Sequence, residues 1–112
     1  MALFSVKSVK KSDEGLASLI QRRRLQILVH SCLYYALNDT LITDAQFDSW
    51  GRELAKLQAE HPEVARKVRY AKEFAEYGKD DCFSGYNLDY RKPEIINKAH
   101  QLLRYRDEHQ KI

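Results

Sequence analysis

The chain has 112 residues, of which 44% are apolar and 31% charged, and a net charge of +3. That length holds one core and excludes the large catalytic domains of kinases, dehydrogenases and nucleotidyltransferases. The balance is that of a folded globule without the ~20-residue apolar run that spans a bilayer, and four glycines and two prolines are too few for a hairpin-rich all-β fold. The N-terminus, MALFSVKSVKK, lacks the apolar core and cleavage site of a secretory signal, so a cytoplasmic protein is expected. Cys32 and Cys82 lie far apart, outside any Cys-x-x-Cys or metal spacing, and read as reduced thiols.

Residues 1–11, with Lys7, Lys10 and Lys11, read as a flexible basic N-terminus. Ser12 followed by Asp13 and Glu14 makes an N-cap with acidic residues in the first turn, where the helix dipole favours them. Leu16, Leu19, Ile20, Ile27, Leu28 and Tyr34 recur at three- and four-residue steps, which predicts one long helix from Ser12 to Leu37, broken by Asn38-Asp39-Thr40. Thr43 and Gln46 fit a capping box, and Phe47, Trp50, Leu54 and Leu57 form one apolar stripe, so a second helix is predicted over Thr43–Glu60. A link this short joins the two as an antiparallel hairpin over residues 12–62.

Pro62 suits the first position of a third helix. Val64, Val68, Ala71 and Ala75 form its apolar line, and Gly78 is its expected terminator. The stretch from Lys79 to Tyr90 is rich in turn formers yet carries Phe83, Tyr86 and Tyr90. Pro93 then opens a last helix with Ile95, Ile96, Ala99, Leu102 and Leu103 on one side. The expectation is an all-α fold: a helical hairpin plus two further helices in a small single-domain bundle, with residues 63–112 as a helical tail with an aromatic loop packed in the same domain.

Two basic zones stand out. Arg22, Arg23 and Arg24 are consecutive, and Arg91, Lys98, Arg104 and Arg106 are interleaved near the C-terminus with Tyr86, Tyr90 and Tyr105. Such a mixture reads first as a solvated face, with pairs such as Glu94 and Lys98; it also suits phosphate contact plus base stacking, or the docking of an acidic protein. His30, His61, His100 and His109 do not cluster, so no metal site is expected. No Gly-rich phosphate loop and no local nucleophile–base pair is found, which argues against an autonomous enzyme.

The stretch His30–Pro62, HSCLYYALNDTLITDAQFDSWGRELAKLQAEHP, resembles the N-terminal helical domain, called Ia, of bacterial NAD-dependent DNA ligases. In that family a Tyr-Tyr or Tyr-His pair ends the first helix, and an Asp-Ala-Glu-Tyr-Asp signature opens the second, which runs through Arg-Glu-Leu to His-Pro. Here the pair is Tyr34-Tyr35, the signature is Asp44-Ala45-Gln46-Phe47-Asp48, and Arg52-Glu53-Leu54 and His61-Pro62 follow in register. From Val64 onward the resemblance ends, and the Lys-x-Asp-Gly motif of the family's adenylation domain does not occur. The resemblance therefore implies a non-enzymatic module that does not seal nicks alone.

Domain Ia of the ligases grips the nicotinamide mononucleotide (NMN) half of NAD. Carried over, Tyr34, Tyr35, Asp44, Phe47 and Asp48 form the candidate ligand site. An aromatic face stacks on a cationic ring, and carboxylates accept hydrogen bonds from ribose or carboxamide. Phe47 departs from the family tyrosine and loses its hydroxyl. The same residues also read as structure: Asp44 as a first-turn dipole residue, Tyr34 and Phe47 as hairpin core. No cofactor is required on this reading, and weak NMN or NAD binding is its ligand expectation. The tail is also similar to those of short bacteriophage proteins. That likeness implies an accessory protein in a bacterial host cell, whose partner is a host protein or nucleoprotein complex, including a nucleic-acid-targeting defence complex such as CRISPR. On that alternative the hairpin is only scaffold; a second alternative is a DNA-binding replication accessory factor.

Overall fold

The computed structural model describes residues 10–80 and 83–110. Apart from Lys10 and Lys11, the basic N-terminus lies outside the described residues, as does Cys82. Every regular element among the described residues is helical. Helix α1 spans Glu14–Ser31 and continues without a break into a π-helical turn, Cys32–Ala36. Helix α2 spans Asp44–Glu60, α3 spans Pro62–Lys67, and α4 spans Pro93–Gln110. Helix α1 is central and packs against all three of the others.

The start of α1 differs from the expected Ser12 cap. Lys11–Asp13 form a 3-10 turn, and Asp13 takes the cap position without a side-chain cap bond. Helix α2 opens as the sequence predicts: the Thr43 hydroxyl accepts from the Gln46 amide at 3.0 Å, satisfying one orphan donor of the first turn. Leu54 of its stripe is fully buried, while Phe47, Trp50 and Leu57 are half-buried and pack against the core from its edge. Along α1 the buried face is Ala17, Ile20, Arg24, Ile27, Leu28 and Ser31. Tyr34, expected on that apolar line, is 59% exposed, because the wider π turn rotates it out of phase with the helix before it.

Arg24 is the largest correction to the expected basic surface. Its side chain is in the core, 1% exposed. Its Nε donates to Gln58 Oε1 (2.9 Å), one terminal nitrogen to the carbonyls of Val68 (3.1 Å) and Arg69 (3.0 Å), and the other to the carbonyl of Ala65 (3.0 Å). Burial pulls its pKa down to about 10, with Glu73 opposing the shift, so it is still charged at neutral pH. Arg23 is also taken up by structure, donating to Glu53 on α2 at 2.8 Å.

The same guanidinium accounts for a second difference. The sequence pattern predicts a third helix reaching Gly78, and the helix stops at Lys67. The Ala65, Val68 and Arg69 carbonyls face Arg24 and cannot all serve a helix ladder. Val68 turns extended, and Tyr70 takes a left-handed backbone (φ +71°). From there to Asp80 the chain runs in successive turns closed by bonds such as Phe74 N to Tyr70 O (3.1 Å) and Tyr77 N to Phe74 O (3.2 Å). The buried residues are consequently Val68, Tyr70, Phe74 and Tyr77, whereas Ala71 is half-buried and Ala75 exposed. In α4, Ile95 and Ala99 are buried as the sequence predicts.

Arg24→Ala removes a charged donor from the Ala65, Val68 and Arg69 carbonyls and from Gln58, at ~1–3 kcal/mol for each acceptor left unpaired. We expect it to lower the melting temperature by on the order of 10 °C or more. Arg24→Lys should rescue little, since a single ammonium cannot span the fork of acceptors. Thermal melts followed by circular dichroism test this, and an alanine variant that melts with the parent would overturn the role assigned to Arg24.

Candidate functional site

The first and second helices are joined at the end of the π turn. Leu37 N reaches Cys32 O (3.1 Å) in the i to i+5 pattern, Asn38 turns left-handed (φ +53°), and Asp39 N reaches back to Leu33 O (2.8 Å). Asn tolerates that conformation better than most residues. Asp39 then accepts from Thr40 N (2.7 Å) and from Arg106 of α4 (3.1 Å), so the last helix clamps the joint. Those bonds hold the Asp39 carboxyl below the usual carboxylate range.

At this joint lies a cleft of about 340 Å³. All five residues proposed from the sequence line it: Tyr34 and Tyr35 from the π turn, and Asp44, Phe47 and Asp48 from the first turns of α2. Asp44 and Asp48 are one helical turn apart and both exposed. Sequence reasoning missed His30, Ser31, Thr40, Ile42, Thr43 and Ser84, which line it too. For His30 a signal existed, since it stands four residues before Tyr34 on the same helix. For Ser84 none existed, since its place depends on the tertiary fold. No lysine or arginine is among the lining residues, so the cleft is acidic. A larger hollow of about 450 Å³ beside α3, whose walls mix alanines with Phe74, Tyr77 and charged residues such as Arg66 and Glu76, contains none of the five.

His30 has its Nδ1 buried without a hydrogen-bond partner, and its ring lies 5.3 Å from that of Trp50. Burial pushes its pKa below 6.5, which leaves it neutral at physiological pH. Ser31 Oγ is likewise buried and unpartnered, and it faces the backbone of Gly85 so closely that a Cβ there would collide with it. Gly85 is thus required for the segment after Phe83 to press onto α1.

The remaining basic candidates do not reach the cleft. Arg106 is engaged by Asp39 and Asp107. Arg22, Arg91, Lys98 and Arg104 stay on the surface, with the Arg91 guanidinium over the Tyr90 ring at 5.1 Å.

Residues 13–67 match the family described as the DNA ligase-like, N-terminal NAD+-binding domain. The DNA ligase of Roseiflexus sp. (strain RS-1) is 38% identical over 53 residues, which are 47% of this chain and 7% of that ligase. The DNA ligase of Geobacter metallireducens is 47% identical over 45 residues (40% and 7%), and that of Thermotoga petrophila 35% over 57 residues (51% and 8%). The hairpin and the short helix after it are thus of the ligase N-terminal type, and the chain spans less than a tenth of the length of these relatives. The match stops at residue 67, so the turn segment, Ser84 and α4 lie beyond it. No solved structure matches the chain. Among the described residues, no helix is long and apolar enough to cross a membrane.

The neutral, half-buried His30 has a consequence for stability. Above pH 6.5 the ring is neutral whether the chain is folded or unfolded. As pH falls through that value the unfolded chain takes up the proton first, so stability declines until the lower folded-state pKa is passed. Urea melts between about pH 7.5 and about pH 5.5 should show that decline, and His30→Gln should flatten it. The same slope in both proteins would remove His30 as its source.

Proposed function

We propose that the cleft binds the nicotinamide end of NMN or NAD, and that the chain acts as a non-catalytic nucleotide-binding module. The observation that carries this reading is convergence. The five residues that correspond to the ligase signature come from two elements and meet in one acidic, aromatic-walled cleft. Nicotinamide in these nucleotides carries a fixed positive charge on an aromatic ring. The Tyr34, Tyr35 and Phe47 rings supply faces for stacking on such a cation. The Asp44 and Asp48 carboxylates balance its charge and accept from the carboxamide N–H or the ribose hydroxyls. The hydroxyl-bearing residues at the rim supply donors for the carbonyl.

The donor set thus fits the group, with one weakness. Phe47 has no hydroxyl to offer, and a lost polar contact of this kind costs on the order of 1 kcal/mol. Tyr34, Asp44 and Asp48 on the cleft's walls are exposed, so little of a small ligand is enclosed. Affinity should be weak, with a dissociation constant of ~1 mM. No lysine within the 112 residues stands in the Lys-x-Asp-Gly pattern that would accept an adenylate, which supports binding without transfer.

Titration with NMN, followed by Trp50 fluorescence through its contact with His30, tests the reading. Asp44→Ala should abolish the response, because the cationic ring loses its carboxylate. Phe47→Tyr should tighten binding several-fold, by about the worth of one hydrogen bond. Silence of the unaltered protein at high NMN, with Phe47→Tyr equally silent, would sink the nucleotide reading. Covalent adenylation of the protein on incubation with NAD would overturn the non-catalytic part.

A further inference from the structure

The segment after the ligase-like region folds back onto the candidate cleft. Ser84, seventeen residues past the end of the family match, lines it. Its Oγ lies 3.0 Å from the Tyr35 hydroxyl and accepts from the Tyr86 amide at 3.1 Å. The Tyr35 ring is held edge-on by Tyr86 (5.3 Å between centroids, 72° between planes) and stacked on Tyr90 (5.6 Å, 26°). Tyr90 is buried, whereas Tyr86 is 64% exposed; it does not itself line the cleft but stands against Tyr35, which does. Three of the four most exposed large aromatic side chains among the described residues, Tyr34, Tyr35 and Tyr86, therefore belong to one contiguous cluster at this site.

We propose that Ser84 and Tyr86 complete the ligand site, Ser84 as a positioning residue acting through Tyr35 and Tyr86 as a second aromatic wall. This rests on the nicotinamide-nucleotide reading above and extends it to residues that the ligase-like region does not contain. The hydrogen-bond inventory supports the first role. Ser84 and Tyr35 share one contact between two hydroxyls. Whichever donates, the other keeps a free O–H. The pair thus presents one uncommitted donor at a fixed place, suited to the carbonyl of a carboxamide, while Asp44 and Asp48 offer only acceptors when ionised. The second role comes from exposure: an open tyrosine face adjoining an acidic cleft favours an aromatic cation over an aliphatic one. The Gly85–Ser31 approach holds both residues in place from below.

The test uses the full chain and NMN as the probe. Ser84→Ala and Tyr86→Ala alter exposed side chains and should leave the far-UV circular dichroism and melting temperature unchanged. Each should weaken NMN binding about five-fold, read by Trp50 fluorescence. Because either hydroxyl alone still carries an O–H, the double variant Ser84→Ala/Tyr35→Phe, which removes both, should bind more weakly than Ser84→Ala; equal binding would show that the pair supplies no donor to the ligand. Tyr105→Ala, which removes an exposed tyrosine stacked on His109 and outside the cleft, is the control and should bind as the parent does. If the parent binds NMN and both alanine variants bind it equally well, this inference fails while the nucleotide reading stands. If the parent binds no NMN at all, both fall.

Discussion

The fold turns on one buried guanidinium. Placing a charge in a core costs several kcal/mol unless its donors are met, and Arg24 meets its own with three backbone carbonyls and the Gln58 side chain. The carbonyls belong to Ala65 in the last turn of α3 and to Val68 and Arg69 just past its end, so the same bonds that satisfy Arg24 end that helix. Without that stop, the residues after Lys67 would continue straight along the α3 axis. With it, the chain bends at Tyr70, lays Phe74 under the guanidinium at 5.8 Å, and runs back along α2, with Gly78 against Ala55 and Tyr77 and Phe83 against Gly51. The Gln58 amide ties the bend from the other side by donating to the Phe74 carbonyl (3.1 Å). Phe83–Arg91 therefore arrive at the C-terminal end of α1, where the cleft is.

The second constraint is the π turn. An α-helical Cys32–Ala36 would keep Tyr34 near the buried face of α1 and close the helix one residue differently. The wider turn sets the two tyrosines outward and lets Asn38 and Asp39 turn the chain immediately into α2. Single π turns are concentrated at functional sites for this reason: they re-aim side chains without ending a helix. The turn is held by contacts that come from elsewhere in the chain, Arg106 on Asp39 and the aromatic stack on Tyr35. The hairpin thus depends on the C-terminal half of the chain; α4 and the Ser84 segment brace the joint that carries the cleft.

Much of this is legible in the sequence. Helical periodicity, the Thr43 cap and the two prolines place α2 and the starts of α3 and α4 to within a residue, because these are local signals. The five cleft residues are legible through resemblance, since their spacing is fixed by a short hairpin turn. Arg24 reads as surface because three arginines in a row look like a basic patch. Its phase holds the correction: Ala17, Ile20, Arg24, Ile27 and Ser31 share one helical face, so the middle member of a buried stripe is an arginine. The early end of α3 has the same origin, since Ala71 and Ala75 fit a helix until the carbonyls before them are claimed. Ser84 and Tyr86 cannot be placed from sequence. Their segment meets Tyr35 and Ser31 about fifty residues away, and no local pattern encodes such a contact.

The cleft's polarity depends on where its hydrogen-bond donors stand. A ligase-type signature with tyrosine at the place of Phe47 would present a hydroxyl from α2, beside the carboxylates of Asp44 and Asp48. Here that side offers the two carboxylates, an apolar ring and the Thr43 hydroxyl at the helix cap, and a further hydroxyl pair stands at the π turn, where Tyr35 meets Ser84 at 3.0 Å. A carboxamide needs both kinds of partner, and a cleft with only carboxylates would satisfy its N–H and strand its carbonyl. The fold-back that Arg24 enforces brings Ser84 to that place. On the proposed reading, the loss of a hydroxyl on α2 and the arrival of another from the later segment belong to one arrangement, in which a residue outside the ligase-like region offsets the polarity that Phe47 removes.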